Sequence, residues 1–305
     1  MPADALYLFD QARQARVYLA KTDQGLGDFF DVLLRDEERS PRLGQQISVE
    51  ALIALKPDLV IAKTSNQSAL GERLDDFGIP VFYMELEDAR QWSSEIEQLG
   101  RLLGDQKRAQ EISAFYKNRE NVVVDTLSTL AQADKPRVLV LQAASTDGTT
   151  VFSVAPAGWI QTYIVQQAGG IPVWLDVPFI DQAWKKVSVE QIAMWKPDVV
   201  YIVSYRSDAA AFLQEIEADT RWQALHASSA VSVKAIPADY VNFAQSDSRW
   251  ILALEFMAAD LHPDKFPLFS MVERIESFYR QLYRIEDEAV IARLVAAYRT
   301  SVGVR

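Results

Sequence analysis

A fifteen-residue segment occurs twice in this chain. Residues 48–62, SVEALIALKPDLVIA, return 140 positions later as SVEQIAMWKPDVVYI in residues 188–202, with seven of the fifteen positions identical. In each copy we expect a serine to cap a short helix, a glutamate to lie in its first turn and a proline to end it, before an apolar run that is typical of a buried strand. A single duplication at this spacing predicts two similar α/β lobes, since a solenoid needs many copies at a shorter period.

The 305-residue length suits two domains of ordinary size. Residues 105–133 contain neither glycine nor proline and have apolar residues three or four positions apart, which predicts one amphipathic helix of about 40 Å that connects the lobes. We therefore predict an N-terminal lobe at 1–104, a connecting helix at 105–134 and a C-terminal lobe at 135–305 that ends in paired helices.

Shorter patterns fill in these lobes. Two helices are predicted at 88–103 and 163–170, and buried strands at 138–142 and 231–236. Trp250 lies on one helical stripe with Leu254, Met257 and Leu261, so we expect it in the core.

Composition and missing motifs exclude several classes of protein. The net charge is −11 with no basic arm at either end, which argues against nucleic-acid binding, and no apolar run approaches the roughly 20 residues that span a bilayer. Without cysteine there is no thiol catalysis, disulfide or Cys-ligated metal. Dinucleotide, P-loop, hydrolase-elbow and zincin motifs are absent, and His226 and His262 lack metal-ligand spacing. The sequence therefore favours a binding protein over an enzyme and predicts no resident cofactor or metal.

Aromatic and basic residues follow the predicted strands, where an open α/β sheet places its ligand. Aromatic rings offer apolar surface for stacking, and the guanidinium of arginine offers parallel N–H donors to an anion. This mixture therefore suits a bulky, partly anionic ligand. For each residue a structural role is the alternative to ligand contact. The candidates are Lys63, Trp159, Trp184, Tyr205, Arg206, Tyr240 and Arg249.

Glu50 and Glu190 are the acidic residues that the duplication repeats. Each has a sufficient structural role, because a carboxylate stabilises the N-terminus of its own helix. Alternatively, the two carboxylates form a matched pair of anions, one on each lobe, that suits a two-fold symmetric partner carrying arginines.

The doubled S-V-E-x-[LI]-x-x-x-K-P-D-[LV]-V pattern resembles the helical-backbone class of substrate-binding proteins of ABC importers, the group that carries ferric siderophores, haem and cobalamin. Residues 157–159 with 169–170, 249–258 and 263–266 are also similar to stretches of that family. The resemblance implies two Rossmann-like lobes joined by one long helix, with the ligand in a cleft between them. It also implies that Glu50 and Glu190 dock onto arginines of a dimeric permease.

The start of the chain departs from this family. Residues 3–9 already resemble the family's first helix, so we expect residues 16–20 to form its second strand and the first strand to be missing. The N-terminus has no basic segment followed by an apolar one, so we expect an export signal to be absent or already removed.

These observations predict an extracytoplasmic solute-binding protein, periplasmic or lipid-anchored at the cell surface and monomeric. Its solute would be an iron chelate, haem or a corrinoid, and its partner an ABC permease dimer. Two alternatives remain: a molybdate or tungstate receptor, and a metal chelatase or cofactor-assembly enzyme on the same scaffold.

Overall fold

The computed structural model describes residues 1–22, 24–44, 47–146, 148–178, 183–228 and 230–303. The chain divides into two compact units. Unit 1 comprises Met1–Asp23, Asp28–Phe115 and Ser246–Ser248, and unit 2 comprises Gln24–Gly27, Tyr116–Gln245 and Arg249–Arg305. Gln24–Gly27 thus belongs to unit 2, although the residues on both sides of it belong to unit 1. Ser246–Ser248 belongs to unit 1, although its neighbours in sequence belong to unit 2.

The helices before the unit boundary are α1 (Pro2–Leu6), α2 (Gln11–Gln14), α3 (Phe30–Leu33), α4 (Val49–Leu55), α5 (Gln67–Asp75) and α6 (Ala89–Leu102). Helix α7 (Gln106–Leu127) crosses the boundary. Those that follow are α8 (Ile160–Gln167), α9 (Val189–Trp195), α10 (Ala209–Ala218), α11 (Thr220–Ser228), α12 (Trp250–Leu261), α13 (Met271–Leu282) and α14 (Glu288–Ser301). The strands are β1 (Val60–Lys63), β2 (Val81–Met84), β3 (Arg137–Thr146), β4 (Thr149–Val154), β5 (Ile171–Pro172), β6 (Lys185–Val187), β7 (Val199–Val203) and β8 (Ser232–Ala235).

The duplicated segments fold alike. The hydroxyl of Ser48 accepts the third backbone N–H that follows it, at the start of α4, and that of Ser188 does the same for α9. Each helix ends at a lysine in the left-handed region, Lys56 or Lys196, both with φ of 48°. The prolines that follow prevent continuation, and β1 and β7 begin shortly after.

Unit 1 contains a small parallel sheet in which Val60 of β1 aligns with Val81 of β2. Leu52 and Leu74 form a buried cluster against it with Val49 and Ile79.

The predicted strand at residues 16–20 is wrong: only Ala20 forms an isolated parallel bridge, to Leu43. The remaining residues of that segment form no ladder, so the strand implied by the family resemblance is reduced here to a single bridge.

Helix α7 has 22 residues and is about 33 Å long at 1.5 Å per residue, shorter than the predicted 40 Å. Its residues as far as Phe115 belong to unit 1, and those from Tyr116 onward belong to unit 2. One helix is therefore shared by both units. The domain limits 1–104, 105–134 and 135–305 remain a prediction.

Unit 2 has a mixed sheet in the order β6-β4-β3-β7-β8, with β5 also paired to β3. Strands β3, β7 and β8 are parallel, whereas β4 runs antiparallel to both β3 and β6. Thr146 aligns with Thr149 across a tight turn in which Gly148 has φ of +72°. The sequence Asp147-Gly148 is a hairpin signal that sequence reasoning missed.

The C-terminal helices complete the core of unit 2. Trp250 is buried and stacks on Tyr116 with ring centroids 5.3 Å apart, which confirms its predicted core position. Helix α12 packs against α8 and α13, and α13 packs against α14, as expected for a paired-helix end.

Candidate ligand-binding site

Three of the predicted ligand residues form a chain of aromatic rings in unit 2. The ring of Trp184 lies 5.9 Å from that of Trp159 and 6.0 Å from that of Tyr205, in both cases edge to face. Trp159 precedes α8, Trp184 precedes β6 and Tyr205 follows β7, so three separate elements supply the rings. All three side chains are partly exposed, which leaves apolar ring surface for a ligand. Residues 179–182 of the loop before Trp184 lie outside the described residues.

Gln161 is a buried residue that contacts this ring cluster through Tyr205. Its Nε2 donates to the carbonyl oxygen of Ala244 at 2.9 Å and lies 3.4 Å from the hydroxyl of Tyr205. Gln161 is 3% exposed and lies in the first turn of α8, just after Trp159. It therefore ties the Tyr205 ring to the loop that precedes α12. Sequence reasoning missed this residue, because nothing in its local pattern marks a buried amide.

The segment Gln24–Gly27 packs against the same region of unit 2. The N–H of Gly25 donates to the Tyr205 carbonyl at 3.2 Å, and a Cβ at Gly25 would lie 1.8 Å from the Arg206 carbonyl oxygen. Gly27 has φ of +106°, and a Cβ there would lie 3.1 Å from the Tyr240 ring. Both positions therefore require glycine. The two glycines in Gly25-Leu26-Gly27 are the sequence signal for this close approach, which sequence reasoning missed.

Tyr240 follows β8 and is partly exposed, and Arg206 follows β7 and is exposed. Because β7 and β8 are parallel neighbours, both residues lie beyond the same edge of the sheet. Four predicted residues of unit 2, Trp159, Trp184, Tyr205 and Tyr240, are thus linked directly or through Gln24–Gly27, with Arg206 beside them.

Lys63 is in unit 1 and has partners there. Its Nζ lies 2.6 Å from Oε1 of Glu87 and also donates to the carbonyl of Glu85. The second carboxylate oxygen of Glu87 accepts from the hydroxyl of Ser246 at 3.0 Å. The charge of Lys63 is therefore already balanced within its own unit.

Arg249 requires a correction. Its side chain has no exposure, and its Nε lies 3.0 Å from Oδ1 of the equally buried Asp239. The hydroxyl of Tyr279 lies 3.1 Å from the same Nε and also donates to Asp239. A ligand cannot contact a guanidinium that is enclosed in this way, so the prediction that Arg249 neutralises the ligand is not supported by its position.

Glu50 and Glu190 occupy equivalent, exposed positions on α4 and α9. The N–H of Glu50 itself, the Arg73 guanidinium and the Ser48 hydroxyl hold the pKa of Glu50 below its ordinary value. For Glu190 the Ser188 hydroxyl and its own N–H lower the pKa. Both carboxylates therefore remain ionised well below neutral pH. Glu50 is also in an ion pair with Arg73.

The described residues contain no group of three or more His, Asp or Glu side chains that could hold a metal ion. His262 is buried beside Gly169 and His226 is exposed on α11. In the same part of the chain, no helix combines the length and apolarity needed to cross a membrane.

The profile of a family described as "Periplasmic binding protein" matches residues 40–240, more than half of the chain. This chain belongs to the periplasmic binding protein family. The match includes both copies of the duplicated segment, which confirms the resemblance on which the sequence analysis relied. Members of the family bind substrates for transport.

Curated relatives include the vitamin B12-binding proteins of Yersinia pestis (strain Pestoides F), 27% identical over 166 residues, and of Yersinia pseudotuberculosis serotype O:3 (strain YPIII), 26% identical over 166 residues. Each match covers 53% of this chain and 55% of the relative. The chain thus spans about half the length of the curated relatives it matches.

Similar solved structures cover nearly the whole chain. The Haemophilus influenzae periplasmic binding protein MolA, bound to molybdate, has a TM-score of 0.73 and 19% identity, and covers 94% of this chain and 91% of its own. Helicobacter pylori CeuE with Ni(II) bound has a TM-score of 0.72 and 18% identity, and covers 95% of this chain and 90% of its own. Together with the family match, these likenesses confirm the predicted two-lobed α/β fold class.

Proposed function

We propose that this periplasmic binding protein is the solute-binding component of an ABC importer and that its solute is a metal chelate with a large flat ring system. The Trp159–Trp184–Tyr205 ring chain is the observation that carries the proposal. Three partly exposed rings, one of them held by a buried amide, suit a macrocycle, since stacking gains free energy from apolar area and from ring geometry together. The protein binds and releases the solute without chemical change, so it needs no resident cofactor.

The charges near these rings favour a corrinoid over a ferric siderophore. The sequence suggested three cations for the ligand, but Lys63 is paired with Glu87 and Arg249 is enclosed with Asp239. Arg206 is exposed and directly follows Tyr205. With two of the three predicted cations engaged by carboxylates, the site suits a highly anionic catecholate chelate less well than a corrinoid, which carries mostly neutral amides around its ring. The similarity to vitamin B12-binding proteins supports the same choice.

For its partner we propose a membrane permease that contacts both duplicated helices. Glu190 and Met194 are one helical turn apart on α9, and Met194 is 74% exposed. Asp176 accepts from Nε1 of Trp195 at 2.9 Å, which brings the partly exposed Leu175 close to the same helix. An ionised carboxylate beside exposed apolar side chains suits a partner that presents arginine and an apolar contact. At the equivalent position to Met194, helix α4 has only Ala54.

Such a protein works outside the cytoplasmic membrane, released or lipid-anchored, and as a monomer. Tryptophan-fluorescence titration with cyanocobalamin, haem, two ferric siderophores and molybdate tests the proposal. We expect saturable quenching by cyanocobalamin, and a loss of affinity of about tenfold or more in Trp184→Ala. Phe77→Ala removes an exposed ring in unit 1 and is the matched control, for which we expect no change.

The other outcomes of this titration are also decisive. Binding of a siderophore or haem instead would keep the importer role and reject the corrinoid. Saturation by molybdate alone would favour an oxyanion receptor. A separate assay with ferrous iron and a metal-free porphyrin tests the chelatase alternative, and insertion of the iron would show that activity. If none of the panel binds to the folded protein, the proposed solute class is wrong.

A further inference from the structure

A cavity lined by arginines lies in unit 1, and its described lining contains none of the ring-cluster residues. It has a volume of about 700 Å³ and opens to solvent. Its described lining residues include Arg13, Arg16, Arg35, Arg39 and the acidic Glu38. Four guanidinium groups around one cavity are unexpected in a chain whose net charge is −11.

Glu38 fixes two of these arginines in place. Its carboxylate lies 3.1 Å from Nη1 of Arg13 and 3.4 Å from Nε of Arg35, and it also accepts the backbone N–H of Arg35 at 2.9 Å. Burial alone would raise the pKa of Glu38, but these donors hold it below its ordinary value. Glu38 is therefore ionised at neutral pH and orients both guanidinium groups at the cavity wall.

The backbone orients Arg39. Its Nη2 donates to the carbonyl oxygens of Asp31 at 2.8 Å and Leu34 at 3.1 Å, and its Nη1 lies 3.2 Å from Asp36. The Asp36 side chain is 94% exposed, so water screens this ion pair strongly.

Arg16 differs from the other three. Its guanidinium lies 5.0 Å from the centroid of the Tyr18 ring, and no carboxylate among the described residues forms an ion pair with it. Among the lining residues that the structure describes, four guanidinium groups thus accompany one carboxylate, that of Glu38.

We propose that this cavity binds a phosphate-bearing ligand with at least two negative charges. Guanidinium groups suit phosphate because each presents parallel N–H donors that match two oxygens at once. Groups already held by Glu38 and by backbone carbonyls lose less conformational freedom on binding than mobile side chains do. The ligand is either a free polyphosphate or the phosphate headgroup of an anionic lipid, since both present the same chemistry.

The 305-residue chain allows two tests of this proposal. Isothermal titration with inorganic pyrophosphate measures the free ligand, and sedimentation with vesicles of phosphatidylglycerol or of phosphatidylcholine measures the headgroup. We expect saturable binding of pyrophosphate or selective binding to phosphatidylglycerol, and a loss of about tenfold or more in the double variant Arg16→Gln with Arg35→Gln. An unchanged thermal unfolding midpoint and circular dichroism spectrum would show that this variant is folded.

Arg90→Gln with Arg101→Gln is the matched control, because it removes the same charge from exposed positions of unit 1. We expect it to change affinity less than twofold. Binding of pyrophosphate would identify a free ligand, and binding to phosphatidylglycerol vesicles alone would identify a headgroup. Binding to neither, or an equal loss in both double variants, would overturn the proposal. The test does not depend on the solute, because none of these arginines belongs to the ring cluster.

Discussion

Arg249 and Asp239 form an ion pair in which neither side chain has any exposure to solvent. The Nε of Arg249 lies 3.0 Å and 3.1 Å from the two carboxylate oxygens, and Tyr279 of α13 donates to the same carboxylate. The pair therefore joins the start of α12 to the loop after β8 and to α13. Its position assigns it to the stability of unit 2, although the sequence placed Arg249 among the ligand residues.

Replacing Arg249 with methionine should lower the free energy of unfolding by about 3–5 kcal/mol, because it leaves the Asp239 carboxylate buried without its cation. Urea denaturation measures this loss. Arg101→Met, at an exposed position of α6, should change it by less than about 0.5 kcal/mol. If Arg249→Met instead weakens solute binding and leaves stability unchanged, the arginine belongs to the solute site after all.

A methyl group added at Gly25 should disturb the ring cluster indirectly, through the backbone that carries Tyr205 and Arg206. Gly25→Ala places a Cβ against the Arg206 carbonyl, so the loop with Tyr205 must move, at a cost of about 1–3 kcal/mol in stability. We also expect weaker solute binding and a shifted emission maximum, since Trp184 contacts Tyr205. Gly158→Ala is the control, because its Cβ would have open space. Equal behaviour of the two variants would contradict the packing described for residues 24–27.

The duplicated glutamates should matter for transport and not for solute affinity. We expect Glu50→Gln with Glu190→Gln to reduce uptake in cells that express the cognate permease, with the solute Kd unchanged, because both carboxylates are exposed and ionised. Full uptake would leave only their role at the helix N-termini.

Met194 should add an apolar contact beside Glu190 on the surface of α9 that we propose binds the permease. Met194→Ser is expected to reduce uptake, and Leu268→Ser, which alters a 94% exposed apolar residue elsewhere in unit 2, is not. Uptake assays paired with Kd measurements distinguish docking from solute binding. If Leu268→Ser has the same effect as Met194→Ser, the loss reflects a general surface change and not a contact made by α9.

His262 should make the stability of unit 2 depend on pH. Burial lowers the pKa of His262 from its ordinary value of 6.5, an effect that hydrogen bonds with Gly169 and Ala168 only partly oppose. The unfolded chain then binds the proton more readily than the folded one, so stability is lost as the pH falls below about 6.5 towards the lowered pKa. The loss from one such group is at most about 1.4 kcal/mol per pH unit.

His262→Gln should remove this part of the acid sensitivity, as measured by urea denaturation between pH 7 and pH 5. His226→Gln replaces an exposed histidine of α11 and serves as the control, in which the acid sensitivity should persist. An unchanged pH dependence in His262→Gln would show that other groups cause the loss.

Local elements were predicted well where their determinants are close in sequence. The capping serines Ser48 and Ser188, the helix at 88–103 and the stripe through Trp250 each depend on residues a few positions apart, so the local pattern contains the information. The strand at residues 16–20 and the hairpin of β3 and β4 were not predicted correctly. Strand formation depends on which partner lies alongside, and that partner is remote in sequence or specified by turn chemistry that was overlooked.

For the candidate site, the sequence identified the aromatic residues but did not show which charged side chains are available to a ligand. Trp159, Trp184 and Tyr205 were chosen because they flank strands, and the chain folds so that their rings meet. The structure alone shows that Lys63 is paired and that Arg249 is enclosed. Residue type reveals that a side chain is charged, whereas its availability depends on the carboxylate that folding brings beside it.

By itself, therefore, the sequence determined the two-lobed α/β class, the duplicated helix and strand, and the family, because a short repeat and its periodicity encode local structure directly. The tertiary structure decided which cations remain exposed, why Gly25 and Gly27 must be glycine, and that four arginines surround one cavity. These properties depend on distances between residues that are far apart in the chain, and such distances are fixed only when the core packs.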